Sequence, residues 1–224
     1  GYSDMALGLG KFFNINIPQN FNSPYKAVNI SDFWRRWHMT LSRFLKDYLY
    51  IPLGGNRKGQ NRTNVNLFIT MLLGGLWHGA NWTFLFWGGY HGLLLLMNKA
   101  WSKCGMNLSG WFSRCLTFFA VMVGWIFFRA ACIQDAFDIL RTMVSIETVS
   151  LASVMPGNDH FIHMLFLISV LFFVNLSPNS MQIIKRPLRR RYAMSFGLVF
   201  FLCLLSLHDA AVNHLPTKFL YYDF

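Results

Sequence analysis

The sequence predicts an all-α, multi-pass transmembrane helical protein with interfacial amphipathic helices, and three observations carry that prediction. Of its 224 residues, 54% are hydrophobic and 17% aromatic, and the mean hydropathy is +0.34, beyond what a soluble domain needs. Several apolar runs reach the roughly 17 to 25 residues that a bilayer-spanning helix requires. Between them lie clusters of Lys and Arg, and one segment sets Trp and Tyr against basic residues at helical spacing.

Residues 1–30 mix glycine, Asn, Pro18 and Pro24 with short apolar patches, which predicts a short helix and then an irregular loop. Asp4 reads as a surface or capping carboxylate. Residues 31–49 predict one interfacial amphipathic helix with Ser31 as its N-cap. Phe33, Trp34, Trp37, Leu41, Phe44, Leu45 and Tyr48 recur at helical spacing, while Arg35, Arg36, His38, Ser42, Arg43 and Lys46 take the other sides. Trp and Tyr with Lys and Arg suit a helix at the membrane boundary. Ile51-Pro52-Leu53-Gly54-Gly55 ends it, and residues 56–62 form a loop with Arg57, Lys58 and Arg62.

From Val65 to Asn98 there is no Asp, Glu, Lys or Arg, and His78, Tyr90 and His91 are the titratable side chains. The stretch 63–98 is too long for one straight span and is interrupted at Gly74-Gly75 and Gly79. It reads as two segments, 63–77 and 82–98, meeting near His78. Further spans are predicted at 112–131, 160–177 and 194–210, with connections at 99–110, 132–159 and 178–193.

Charge placement orients these spans. Lys185, Arg186, Arg189, Arg190 and Arg191 put the last connection in the cytoplasm. Alternation then sends 132–159, with Asp135, Asp138, Glu147 and Asp159, to the far side, and returns Lys99 and Lys103 to the cytoplasm. The Arg57-Lys58-Arg62 loop also falls inside, and His78 lies near the far turn of the excursion. Arg129 and Arg141 fall on the outer side, where snorkelling and nearby acids accommodate them.

The formal charge of +11, from 20 Lys and Arg against 9 Asp and Glu, alone would suggest nucleic acid. Because the basic residues cluster between hydrophobic runs, they read as topology signals and contacts to anionic lipid, and no nucleic-acid partner is expected. Cys104, Cys115, Cys132 and Cys203 form no CxxC pair and no metal-ligand spacing, so each is expected to be a small buried residue. The start at Gly1-Tyr2-Ser3, without a signal peptide, reads as a carboxyl-terminal piece of something longer.

The chemistry centres on Gly74-Gly75-Leu76-Trp77-His78-Gly79-Ala80-Asn81-Trp82. An ionisable side chain in a run fit for lipid marks a functional site by default, and Asn81 and Trp82 are expected to give it a hydrogen-bonding and a π surface. Desolvation favours neutral imidazole, the form a general base needs; a helix–helix hydrogen bond is the alternative. His38, with Arg35 and Ser42 three and four residues away, suits contact with an anion or a thioester, or else a solvated interfacial position. His91, 13 residues beyond His78, is expected to face elsewhere and to pack or hydrogen-bond. His160 and His163 lack a third ligand, His208-Asp209 and His214 form an interfacial cluster at most, and no metal site is expected. No phosphate-binding glycine loop, nucleophile elbow or zinc-protease motif is present.

Three ordered motifs carry a resemblance: Asp32-Phe33-Trp34-Arg35-Arg36-Trp37-His38-Met39-Thr40-Leu41-Ser42, then Asp47-Tyr48-Leu49-Tyr50-Ile51-Pro52-Leu53-Gly54-Gly55-Asn56, then Gly75-Leu76-Trp77-His78-Gly79-Ala80-Asn81-Trp82. Together they resemble the membrane-bound O-acyltransferase (MBOAT) family, in its alginate O-acetyltransferase-like branch. The resemblance is specific over about residues 32–92 and looser across 1–224, which would be the carboxyl-terminal part of a single transmembrane domain. It implies a tunnelled, multi-helix enzyme of the bacterial inner membrane, with His78 as catalytic base and His38 as the second characteristic polar residue. It also implies an acyl-coenzyme A or other acyl thioester donor arriving from the cytoplasm, with no permanently bound cofactor. The expected acceptor is a hydroxyl of an exported polysaccharide such as alginate, reached through a periplasmic acetyltransferase partner. Transfer of D-alanine or another acyl group to teichoic acid or peptidoglycan, and a non-enzymatic transport or scaffold subunit, are the alternatives.

Overall fold

The computed structural model describes residues 2–105, 108–145, 159–184 and 190–212, and every element among them is helical. Two units are distinguished, Gly1–Ser177 and Pro178–Phe224. In the first, α1 (Tyr2–Phe12) is followed by a loop with a short 3-10 turn at Pro24–Lys26. Next come α2 (Ile30–Arg36) and α3 (Met39–Leu45), the latter running into a π turn, Lys46–Tyr50. Then follow α4 (Gly59–Leu76), α5 (Trp82–Lys103), α6 (Gly110–Arg129), α7 (Ile133–Val144) and α8 (Asp159–Leu176). The second unit holds α9 (Ser180–Ile184) and α10 (Arg190–Val212).

The helix expected over 31–49 is broken in two. Its N-cap is Asn29 rather than Ser31: the Asn29 side chain accepts from Asp32 N at 2.8 Å, and Asp32 Oδ2 accepts from Val28 N at 3.2 Å, a reciprocal cap that satisfies two otherwise unpaired donors. Ser31 instead accepts from Asn98 Nδ2 at 2.9 Å and ties α2 to α5. The break falls at Trp37 and His38. The apolar spacing survives it because Phe33 and Trp37 stack across the junction, with ring centroids 5.7 Å apart and planes at 13°. Phe33, Leu41 and Leu45 are buried as the spacing predicts, whereas Phe44 and Tyr48 are exposed.

The two segments expected within 63–98 are α4 and α5, and Trp77–Asn81 is the turn between them. They pack closely because glycine meets glycine. A Cβ on Gly75 would stand 2.3 Å from Phe84 O and 3.1 Å from Gly88 Cα, and one on Gly88 would stand 2.4 Å from Met71 O. Small residues at a helix crossing allow such close approach of backbones. Polar side chains bind the neighbouring helices: Tyr90 donates to Ala120 O at 2.9 Å, and Lys99 donates to Asn64 Oδ1 at 3.0 Å. Asn66, fully buried, donates to Gly55 O at 2.9 Å.

Among the described residues α6 is the one helix long and apolar enough to cross a membrane. One side of it leaves Trp111, Phe112, Leu116 and Phe119 exposed, while Val121, Gly124 and Phe127 are buried against the bundle. The connection expected at 132–159 contains a helix that the span pattern missed. In α7, Ala136 is fully buried and Leu140 packs beside it against Phe127. The cysteines are not buried as expected: Cys104, Cys132 and Cys203 are exposed and Cys115 is intermediate. Cys132 instead caps α7, its Sγ accepting from Asp135 N at 3.5 Å, which is work for a polarisable side chain at a helix end. Lys185, Arg186, Arg189, Glu147 and His214 lie outside the described residues.

Candidate active site

His38 sits at the junction of α2 and α3 with φ 42° and ψ 56°. This left-handed conformation is costly for a residue with a Cβ, about 1–3 kcal/mol, and persists only where surroundings hold it. The hold is supplied by a loop that the sequence did not single out. Asn20 O accepts from Met39 N at 2.8 Å, and Asn20 Oδ1 accepts from Thr40 N at 3.1 Å and from Thr40 Oγ1 at 2.9 Å. Asn22 N donates to Arg36 O at 2.9 Å. The segment around Asn20 thus supplies partners that a continuous helix would have supplied, and the imidazole is turned out of the helix direction.

Ser42, expected beside the His38 side chain, instead donates its hydroxyl to Trp34 O and Trp37 O at 3.2 and 3.3 Å. It therefore reinforces the break rather than orienting the ring. Arg35 is exposed, while Arg36 pairs with Asp32 at 2.9 Å. Phe21 lies against the His38 ring at 5.9 Å. His38 Nδ1 is buried and has no hydrogen-bond partner. Burial holds the imidazole below its ordinary pKa of 6.5, a backbone hydrogen bond partly opposing it; neutral imidazole is the form that can accept a proton or a hydrogen bond.

Replacing Asn20 by alanine removes two accepted hydrogen bonds at the clamp. At about 0.5–1.5 kcal/mol each, the expected loss of stability is roughly 1–3 kcal/mol, with a parallel loss of activity as His38 relaxes toward helix. Asn20→Asp keeps an acceptor for both Thr40 donors and should retain more of both. Thermal unfolding in detergent, alongside turnover by the intact enzyme, measures the difference.

His78 lies in the turn Trp77–Asn81 and is half-buried. Its ring is surrounded by aromatics: Trp77 at 5.1 Å, Phe128 at 5.0 Å, Trp87 at 5.3 Å and Phe84 at 6.2 Å. The π surface expected from Trp82 is absent, because Trp82 is 72% exposed. Asn81 does not act as a side-chain partner either: its Oδ1 caps α5 by accepting from Thr83 N, and its Nδ2 donates to Ala131 O, each at 3.1 Å. Asn81 therefore locks the His78 turn onto the joint between α6 and α7. A continuous run of ring contacts, Phe21 to Trp37 at 4.9 Å, Trp37 to Trp125 at 4.8 Å and Trp125 to Phe128 at 5.6 Å, links the ring of His38 to that of His78, so the fold brings both expected site residues into one aromatic cluster from separate motifs.

His91 faces the same cluster rather than a different one. It is 1% exposed, edge-on to Trp34 at 5.3 Å and to Trp87 at 4.9 Å, and stacked on Phe33 at 6.2 Å. A Cβ on Gly124 would stand 2.6 Å from His91 Nε2, so only glycine at that point of α6 leaves room for the ring. The expectation of a packing residue holds, but the expected separation from His78 does not, because His78 is on a turn where helical angle counting no longer applies. Trp87 stands between the two rings. The sequence reading also passed over Trp125, Phe128 and Gly124; a signal was available in the aromatic density of α6, which carries Trp125, Phe127 and Phe128 in one turn.

Among the described residues no group of three or more His, Cys, Asp or Glu is arranged to hold a metal ion. Arg57, Lys58 and Arg62 are exposed at the start of α4.

Among the described residues the chain is helical throughout, with apolar helix faces turned outward and imidazoles set in an aromatic cluster, the features of a membrane-associated helical protein. The model of the MBOAT, membrane-bound O-acyltransferase family, matches residues 2–140, which include both histidines and all of their neighbours named above. The chain belongs to that family. It is 48% identical over 167 residues to a peptidoglycan O-acetyltransferase of Helicobacter pylori, covering 73% of this chain and 32% of that protein. It is 46% identical over 162 residues to the probable alginate O-acetylase AlgI of Pseudomonas aeruginosa, covering 70% and 31%. A teichoic acid D-alanyltransferase of Bacillus subtilis is 34% identical over 110 residues, covering 46% and 28%. The aligned part amounts to about a third of the length of these curated relatives.

Proposed function

We propose that this chain is the carboxyl-terminal part of a multi-pass O-acyltransferase of the bacterial inner membrane and carries its reaction centre. It moves an acyl group, an acetyl group in the first instance, from a cytoplasmic thioester such as acyl-coenzyme A toward a hydroxyl of an exported polysaccharide. His78 is the general base: it takes the proton of the attacking hydroxyl while the acyl carbon exchanges sulfur for oxygen. His38 lies on the cytoplasmic side of it and contacts the donor, and the exposed Arg57, Lys58 and Arg62 meet the donor's anionic groups or lipid headgroups.

The observation that carries this reading is that one aromatic cluster links His38 to His78, although 40 positions separate them in the sequence. The names of the relatives support acyl transfer to cell-envelope polymers. Alginate-type and peptidoglycan-type acceptors stand nearly level, since identities to relatives of both names are 46% and 48%. A multi-pass arrangement is supported by α8, on which Ile162, Leu165, Phe166, Leu167, Phe172 and Phe173 are all exposed. A helix apolar on every side belongs in lipid or inside a larger bundle. A periplasmic acetyltransferase partner would complete delivery to the polymer.

The test is to supply membranes containing the intact enzyme with radiolabelled acetyl-coenzyme A and follow label into polysaccharide hydroxyl esters. Ester-linked label dependent on this protein is expected. A transport or scaffold subunit would transfer none.

The position of His38 predicts the pH dependence. Its neutral form is favoured by burial, so its contribution is complete above its ordinary pKa of 6.5 and is lost as pH falls through the lower value it has in the folded protein. Transfer should therefore be level from pH 7 upward as far as this group is concerned, and decline below pH 6.5. A decline with its midpoint above 6.5 would contradict the burial of that ring.

A further inference from the structure

The cluster that surrounds the two histidines holds buried hydrogen-bond donors with nothing to donate to. Trp87 is 3% exposed, and its Nε1 has no partner; the Nε1 of Trp34 is likewise buried and unpartnered. The two indoles meet edge to face at 5.7 Å and 67°, and Trp87 meets the His78 ring at 5.3 Å and 89°. The Nε1 of a third indole of the region, Trp125, near the Tyr25 side chain, and the Nδ1 of His91 are also buried without a hydrogen-bond partner, but neither is set against the His78 ring as Trp87 is. An indole N–H can donate and cannot accept, and a buried tryptophan ordinarily finds an acceptor. Leaving such a group unpaired costs about 1–3 kcal/mol, so two of them side by side, one touching His78, call for an acceptor that arrives from outside the chain.

The reaction proposed above brings one such atom to this place. The hydrocarbon of an acyl group offers no acceptor, but the carbonyl oxygen of its thioester does, and that oxygen belongs to the carbon that must come within reach of His78. Resting on that reading, we propose that the Trp87 indole N–H, with Trp34 as the adjoining donor, binds the carbonyl oxygen of the acyl thioester. As the acceptor hydroxyl adds, its oxygen bonds to the acyl carbon and its proton passes to His78. The carbonyl π pair moves onto the oxygen held by the indoles. When the adduct collapses the carbonyl re-forms, the carbon–sulfur bond breaks, and the departing thiolate takes the proton from the His78 imidazolium. A fixed donor in a water-poor site suits this work because it need not reorganise as charge develops.

His91 and Gly124 give the arrangement its rigidity. Trp87 is held between the His78 and His91 rings, 5.3 and 4.9 Å away, and His91 is itself confined by Gly124. The indole is thereby held in place before the donor arrives.

The experiment uses the intact enzyme with Trp87→β-(3-benzothienyl)alanine, which replaces the N–H by sulfur and keeps the shape of the ring, and the same exchange at Trp34. Turnover with acetyl-coenzyme A should fall on the order of 10²-fold for Trp87, chiefly in kcat, with little change in KM or in melting temperature. In the His78→Ala background, where bound donor is not consumed, acetyl-coenzyme A labelled with carbon-13 at the carbonyl should give an infrared carbonyl band below its position in water. The benzothienyl exchange should move the band back up. A wild-type kcat in both isosteric variants, an unshifted band, or no band from bound donor overturns the proposal. Full turnover by His78→Ala would instead overturn the general-base reading; the carbonyl band is then recorded without polysaccharide acceptor, where donor is not transferred, and still reports on the indoles.

Discussion

Alanine in place of His78 should reduce acyl transfer by the intact enzyme by about 10²–10⁴-fold. In the proposed reaction the imidazole removes the proton of the attacking hydroxyl as the bond to carbon forms, and none of the rings packed directly on it can take over. The ring is surrounded by Trp77, Phe84, Trp87 and Phe128, none of which accepts a proton. His91 stands on the far side of Trp87, and the Phe21, Trp37, Trp125 and Phe128 rings intervene between His38 and His78. The loss should appear in kcat, because in the proposed role the ring acts on the acceptor's proton rather than on the grip of the donor. Folding should be little affected: His78 sits in a turn, is half-buried, and makes ring contacts only at centroid separations of 5.0 Å or more. His78→Gln, which fills similar space and donates hydrogen bonds without serving as a base, should be as inactive as His78→Ala. Acetyl ester content of the polysaccharide is the readout; undiminished acetylation in either variant would remove the role.

Gly88→Ala should be, together with Gly75→Ala, among the most damaging single-methyl changes in the fold. The new Cβ would stand 2.4 Å from Met71 O and 3.2 Å from Gly75 Cα. Both are backbone atoms, so no side-chain rotation relieves the overlap and α4 must move away from α5. Overpacking of this kind costs typically 1–3 kcal/mol, and here the displacement is carried straight to the His78 turn that joins the two helices. Turnover should therefore fall together with the melting temperature in detergent. Gly89→Ala, one position along, is the control: its Cβ would meet the end of the Leu72 side chain at 3.3 Å, which can give way. Equal melting temperatures for the Gly88 and Gly89 variants would show that the close crossing does not control stability.

Much of this molecule is legible in the order of its residues. The hydrophobic runs that mark α4, α5, α6, α8 and α10 follow from composition alone, because a long run without charge is either a helix in lipid or a buried one. The isolation of His78 between glycines and the place of His38 among tryptophans and arginines are also visible, since an ionisable group in apolar sequence stands out without any knowledge of the fold. Helix α7 was harder to see, because the acidic residues on its outer face resemble those of a loop.

The sequence by itself determined an all-helical chain rich in apolar faces, with two histidines worth suspecting, since periodicity and charge act over a few residues and can be read locally. Tertiary structure alone decided that His38 leaves the helix in a left-handed turn clamped by Asn20, that His91 joins His78 across Trp87, and that Gly75 and Gly88 meet. Each of these depends on contacts between residues far apart in the chain. Backbone groups freed by the break and a methyl-sized gap at a crossing have consequences only once a distant partner is in position, and no short window of sequence contains that partner.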